Sequence, residues 1–455
     1  MRLSWPRAND RKRAILGKPT TTRVDGGLTF PVRIVNTSSW DIECHHYLIS
    51  SDSLACPPRK VPQPMSWSPV KTDTDSDLLQ YFKVVVSDSL TTVRPEMATL
   101  RDVLMPMALS NAPLSEAVLQ SLLALSSLHR HGLQSHAARA KLSALSALAT
   151  SARSGVGAHE VSPHVAALML LCCFEIQEAS DTSSQWLHYV SSVKSLLGAV
   201  QPNLLGQDSQ MAVLLCWVSY HDVMSRFSLH HWRTRSSAKE MLLGGLGIPA
   251  PQPDTSRALM TSSTRFPCVA MLKMAAEIFN VVLEPDEARS RGIDIQNLLT
   301  VLEQKLTSFP LPAEPAVDSA HGGRAMLSED LATMAIFQLT LLVYLERAAG
   351  GPPAQSGKMK SRLKRAFAMF ARLETFQRQF PLLILGCEAR TDADRIVVLD
   401  LIARTERDTG VRSLQGTKAL LQSFWAQDDL AETGVAYIDK FNAVFSSSDI
   451  LPAFV

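Results

Sequence analysis

Four side chains with metal-ligating chemistry crowd one stretch of this sequence: Cys44, His45, His46 and Cys56. A zinc site needs thiolates or imidazoles at spacings that let four ligands converge, such as paired Cys-x-x-Cys units. This spacing matches no such site, and Pro57, Pro58, Pro62, Pro64 and Pro69 interrupt the chain beyond it, so we expect no metal here. Cys172-Cys173 lies inside an apolar run, where a thiol packs as a small hydrophobe. The pairs His129/His131 and His230/His231 sit beside Arg130 and Arg233 at expected helix ends, which predicts solvated or capping imidazoles.

Nucleophilic and phosphate chemistry lack their usual signatures. The sequence has no Gly-x-Ser-x-Gly elbow, no Walker glycine loop, no Gly-x-Gly-x-x-Gly and no His-Glu-x-x-His pair. Gly244-Gly245-Leu246-Gly247 runs into Pro249 and Pro251 and reads as a turn. No catalytic residue, cofactor site or metal site follows, and we expect no enzyme.

Two charged constellations remain. Gly386, Glu388, Arg390, Asp392, Asp394 and Arg395 follow the apolar run Phe380 to Leu385. Thr391 and Asp394 have the spacing of a capping box for a helix beginning near Asp392. The segment reads as a helix cap with local ion pairs, or as a surface for an effector or partner. The other constellation is N-terminal. Residues 1 to 25 hold Arg2, Arg7, Arg11, Lys12, Arg13, Lys18 and Arg23 against Asp10 and Asp25, a net +5 and nearly all of the local basic excess we find. Arg11-Lys12-Arg13 reads as a short nuclear import signal or as a solvated tail.

The elements that must hold these groups are helical. At 455 residues with 46% hydrophobic and 19% charged side chains, the chain can bury a large core and is not a disordered polymer. Net charge +2 gives no overall nucleic-acid footprint, so any such binding must be local. Seven scattered cysteines predict reduced, buried thiols. The apolar runs Val165 to Phe174 and Met211 to Val218 fall short of the ~18 residues of a bilayer span. Residues 1 to 25 read as a basic linker and 26 to 76 as an irregular linker with one short strand at 26 to 36. From Asp77 to the end, apolar residues recur at helical spacing. Helices are expected at His164 to Gln177, Trp186 to Leu197, Met211 to Phe227, Val269 to Val282, Ile295 to Phe309, Met326 to Ala348, Ser361 to Leu373, Arg395 to Thr405 and Lys418 to Trp425. Tyr437, Ile438, Phe441 and Phe445 share one face of a last core helix. The fold class is all-α: a large helical body of packed antiparallel helix pairs with an irregular N-terminal linker.

Several segments together resemble fungal binuclear zinc cluster transcription factors. Arg2-Leu3-Ser4-Trp5-Pro6-Arg7 is similar to the linker that follows that family's cysteine cluster. Tyr81-Phe82, Leu104 to Ala108, Leu122 to Ser126, Leu168 to Glu175, Trp186 to Leu197 and His221-Asp222-Val223 resemble its fungus-specific regulatory domain. So do Gly386 to Arg390 with Asp394 and Arg395, and Trp425 with Asp428 and Asp429. Tyr189 and Ser192-Val193 stand where the family usually has His and Gly-Ala.

The resemblance implies a nuclear regulator or co-regulator of transcription, with a secondary-metabolite gene cluster as a setting. It implies transcription machinery or a DNA-binding regulator as partner, a homo- or heterodimer, DNA contact that is weak or indirect, and no membrane. Arg2, Arg7, Arg11, Lys12, Arg13 and Lys18 would then touch phosphates beside a DNA module or direct nuclear import. The six-thiolate zinc module is absent from the sequence, and zinc is expected only if an upstream cysteine cluster exists. The rival expectation is a helical ligand-binding protein without a DNA role, its pocket lined by Met, Trp and Cys of the 164 to 227 helices.

Overall fold

The computed structural model describes residues 41, 45, 75–90, 99–110, 114–154, 157, 160–178, 185–199, 209–232, 267–283, 294–311, 329–348, 357–409, 414–431, 436–447 and 451–454. Among them the regular elements are helices. The first is α1, Asp75–Tyr81, which continues through a π-helical stretch, Phe82–Val86, and one more turn, Ser87–Ser89. Then come α2, Leu100–Leu109; α3, Ser115–His131; α4, Ser135–Ser154; α5, Val161–Glu178; α6, Gln185–Ala199; and α7, Ser209–Trp232. The second half holds α8, Pro267–Leu283; α9, Ile295–Thr307; α10, Glu329–Ala348; α11, Gly357–Phe370; α12, Gln379–Gly386; α13, Asp392–Thr409; α14, Leu414–Leu430; and α15, Tyr437–Ser446.

The helices form where apolar positions recur and stop where the chain supplies caps. Thr99 caps α2 with its hydroxyl on the Asp102 amide, and Asp102 returns the bond to the Thr99 amide. Gly132 ends α3 at φ 76°, a conformation that costs a side chain but not glycine, and its amide reaches the Leu128 carbonyl. The three residues after His131 fold α4 back along α3, the tight connection of an antiparallel pair. Helices α4 and α12 are among those that the expected spans did not include. The Ala- and Ser-rich α4 buries Ala137, Ala140, Ala144 and Leu148, a helical rhythm carried mostly by small side chains, and α12 is buried on every side, so it has no rhythm to read.

The core is in two large parts joined by one rod. Leu78 to Leu128, together with α4 and α5 side chains, packs with Met211 to Val218 at the start of α7. Tyr220 to Phe227, further along α7, packs with α8 through α15. With 24 residues, α7 is about 36 Å long and belongs to both cores.

Phe227 is its hub, with the rings of Phe279, Tyr344, Phe380, Phe441, Phe445 and Phe454 all within 6.2 Å of its own. The expected final core helix is α15, whose Phe441, Val444 and Phe445 are buried.

His231 contradicts its expected solvation. It is fully buried, donates from Nδ1 to Asn442 Oδ1 at 2.8 Å and accepts at Nε2 from the Tyr344 hydroxyl at 3.3 Å. The doublet does end a helix, but α15 covers that end, and Ser446 donates to the Trp232 carbonyl. Within the 26 to 76 stretch the described residues are Asp41 and His45, each helical rather than irregular, and Asp75 and Ser76, which open α1. Asp41 is buried, and its carbonyl accepts from Gln427 Nε2. The strand expected at 26 to 36 lies outside the described residues.

Candidate functional site

The densest arrangement of charge centres on the turn between α12 and α13. Phe380, Leu382, Leu383, Ile384 and Leu385 anchor α12 in the core, so the turn that follows starts at a fixed place. Gly386 makes the approach to α14 possible: a Cβ there would lie 2.7 Å from Leu421 Cδ2 and 3.4 Å from Val398 Cγ1. Across the same contact, Trp425 Nε1 donates to the Gly386 carbonyl at 2.9 Å. Thr391 then starts α13, its hydroxyl accepting from the Asp394 amide at 3.2 Å and donating to Asp394 Oδ2 at 2.7 Å.

Charges from five parts of the chain meet around this frame. The Glu388 side chain is fully buried and receives both Nε and Nη2 of Arg347 from the end of α10. Arg390 bridges outward, 3.8 Å from Glu388 and 2.8 Å from Asp428. Lys440 of α15 holds the other Asp428 oxygen at 2.6 Å. Arg395 grips Asp429 with two nitrogens at 2.7 and 3.0 Å, donates from Nε to the Ala389 carbonyl and lies 5.4 Å from the centre of the Trp425 ring. Four cations thus face three carboxylates, and each carboxylate is matched.

The electrostatics follow from that matching. Burial alone would lower the Arg390 pKa, but Asp428 and Glu388 outweigh it and raise it, so the cation is held. Burial pushes the Cys387 thiol well up, leaving it protonated and unreactive. Tyr437 is raised well above an ordinary phenol, first by burial and then by Glu388. No nucleophile stands beside a base in this cluster. Its chemistry is that of a clasp, joining α10, α13, α14 and α15 through one turn.

Among the site residues expected from sequence, Gly386, Glu388, Arg390, Arg395, Trp425, Asp428 and Asp429 are brought together. Asp394 caps its helix beside them. One ion pair is local, Arg390 with Glu388, but the closer holds are distant: Glu388 is held from 41 positions away and Asp429 from 34. Arg347 and Lys440 were missed, because each follows an acid of its own helix, Glu346 and Asp439, while the carboxylate it holds lies 41 and 12 positions away. Arg2, Arg7, Arg11, Lys12, Arg13 and Lys18 lie outside the described residues, as do Cys44, His46 and Cys56. No group of three or more His, Cys, Asp or Glu side chains among the described residues is placed to hold a metal ion. No helix among the described residues is long and apolar enough to cross a membrane.

A second, smaller cluster ties the N-terminal half. Lys141 lies 2.9 Å from the buried Glu175, whose carboxylate also accepts from the Tyr189 hydroxyl at 3.3 Å. Tyr189, at the departure from the family's usual His, therefore keeps a polar bond to α5. Asp222 is held by Arg226 at 2.6 Å and Lys194 at 2.7 Å. Burial works to raise the Asp222 pKa, yet Arg226 and Lys194 prevail and keep it low. Cys172, Cys173, Cys216, Trp186 and Trp217, the side chains expected to line a pocket, are buried in the core.

The matches to known proteins cover the body that carries both clusters. The model of the fungal specific transcription factor domain matches residues 77–445. Transcription factor iacI of Pestalotiopsis fici is 36% identical over 388 residues, which is 84% of this chain and 95% of that protein. No solved structure gives a significant match.

Proposed function

The chain belongs to the fungal specific transcription factor domain family, and from that premise we propose that it works in the nucleus as a regulator or co-regulator of transcription. The observation that carries the reading is extent. Similarity runs through residues 77–445, including the clasp at Gly386 to Arg395, and is not confined to one motif. In this reading the helical body acts by binding other proteins, not by turning over a substrate. The four-helix clasp supports that role, because a protein-binding surface built across several helices needs them held in a fixed relation.

The finer setting we propose is control of a secondary-metabolite gene cluster. The support is the resemblance of Arg2 to Arg7 and of the regulatory-domain segments to zinc cluster regulators. Promoter choice would come from a DNA-binding partner or from a zinc module, with this chain supplying the regulatory surface. Deleting the gene and profiling transcripts tests the reading. Coordinated loss or gain of one contiguous biosynthetic cluster is expected. An unchanged transcriptome under conditions where the protein is made would overturn it.

A further inference from the structure

The basic excess of this chain is not confined to its first 25 residues. Between positions 358 and 372 stand Lys358, Lys360, Arg362, Lys364, Arg365 and Arg372 with no acidic residue among them, a net +6. Most of it falls on α11. That helix buries Met359, Ala366, Phe367, Met369 and Phe370 and turns its other side to solvent.

The exposed side has an order. At 3.6 residues per turn, Lys360 and Lys364 lie one turn apart along one flank. Lys358 and Arg365, two turns apart, line the other flank, and Ser361 and Ala368 run between them. Small side chains along the centre let a long anion come close, while the flanking cations reach around it. Arg362 is committed inward, to Glu303 at 2.6 Å and Glu346 at 2.7 Å, and Lys358, three-quarters exposed, is 3.7 Å from Glu303. Lys360 and Lys364 have no acidic partner among the described residues. They are the charges a ligand would meet first.

We propose that the exposed face of α11 is a docking surface for the phosphate backbone of duplex DNA. Chemistry favours a polyanion over an acidic peptide. Acidic peptides that bind proteins gain from apolar anchors set into a groove. No large hydrophobic side chain on α11 is exposed; those that are stand elsewhere, at Val84, Leu109, Leu133, Leu142, Val301 and Ile396. Lysine binds phosphate as a point charge, which suits a backbone contacted at no fixed register. Nor is this an import peptide to be read as an extended strand, since α11 is pinned to the body by its buried face. Such a surface gives sequence-independent affinity and lets a DNA-binding partner choose the site. The inference concerns DNA itself, so it can fail while the regulatory reading stands, and the reverse.

The test is fluorescence anisotropy of the full chain with a labelled random-sequence duplex, over about 50 to 200 mM salt. The charge-neutralised K360Q/K364Q chain should melt at the wild-type temperature, bind roughly tenfold more weakly, and lose about 1.8 from the slope of log affinity against log salt. The K360R/K364R chain should bind as the wild type does. Unchanged affinity and slope in K360Q/K364Q overturns the proposal, as does binding that vanishes when Arg11, Lys12 and Arg13 alone are neutralised. So does a K360Q/K364Q chain that loses binding to polyglutamate and keeps its binding to DNA, which would assign the face to an acidic protein.

Discussion

Arg347, at the end of α10, grips Glu388, in the turn after α12, with two guanidinium nitrogens, and the carboxylate is shut away from water. A buried pair of this kind is worth little against an apolar replacement but a great deal against its own half. Arg347→Ala should therefore destabilise the fold by about 3 to 5 kcal/mol, because it strands the Glu388 charge. The double variant R347M/E388L should recover most of that loss. Thermal melting of the two variants checks the prediction, and equal melting temperatures would contradict it.

Gly386 is required by space. Leu421 is fully buried, so its methyl groups have little room to move from an added Cβ at 2.7 Å. Gly386→Ala should cost about 1 to 2 kcal/mol, the overpacking penalty less what alanine gains in a helix. Adding L421V should remove the penalty. A double-mutant cycle by denaturant unfolding reads the coupling directly.

His231 should make stability fall in acid. Burial lowers its pKa from the ordinary 6.5 to about 3, with the Asn442 bond opposing and His230 adding to the effect. The unfolded chain takes up a proton at about 6.5 while the folded chain does not. The contribution is thus whole above pH 6.5 and is lost as pH falls toward 3. His221, lowered to about 4 by burial, acts in the same direction. Near pH 5, His231→Gln should flatten the slope of stability against pH by about 1.4 kcal/mol per unit. An unaltered slope would show that the ring is protonated in the fold.

The start of α13 depends on one hydroxyl. Thr391→Ala removes the acceptor of the Asp394 amide and should cost about 1 kcal/mol. Thr391→Ser should restore most of it. Urea unfolding of both variants tells whether the cap or the ion pairs beyond it hold this corner.

Much of the fold could be read from periodicity, because most helices bury one face and leave the other wet. Ile295–Thr307 shows it: Leu299, Leu302 and Leu306 recur at helical spacing, and Asp294 caps the start. The α12 helix could not be read that way, since an element buried all round has no polar face to set its period. Burial of His231 was equally silent, because its partners Tyr344 and Asn442 lie 113 and 211 positions away.

The clasp was half legible. The Thr391 cap is local and declares itself in four residues, whereas the hold of Arg347 on Glu388 exists only after α10 has packed on α12. The basic face of α11 was in plain view as sequence, but its separation into a buried stripe and two charged flanks needed the fold.

Chromatin immunoprecipitation of the tagged chain from its native host, under conditions where it is expressed, tests the central claim most directly. The account predicts enrichment at the promoters of the genes whose transcripts change on deletion, with crosslinking through a partner sufficient for the signal. A chain that is abundant, folded and excluded from chromatin at every one of those promoters would contradict it.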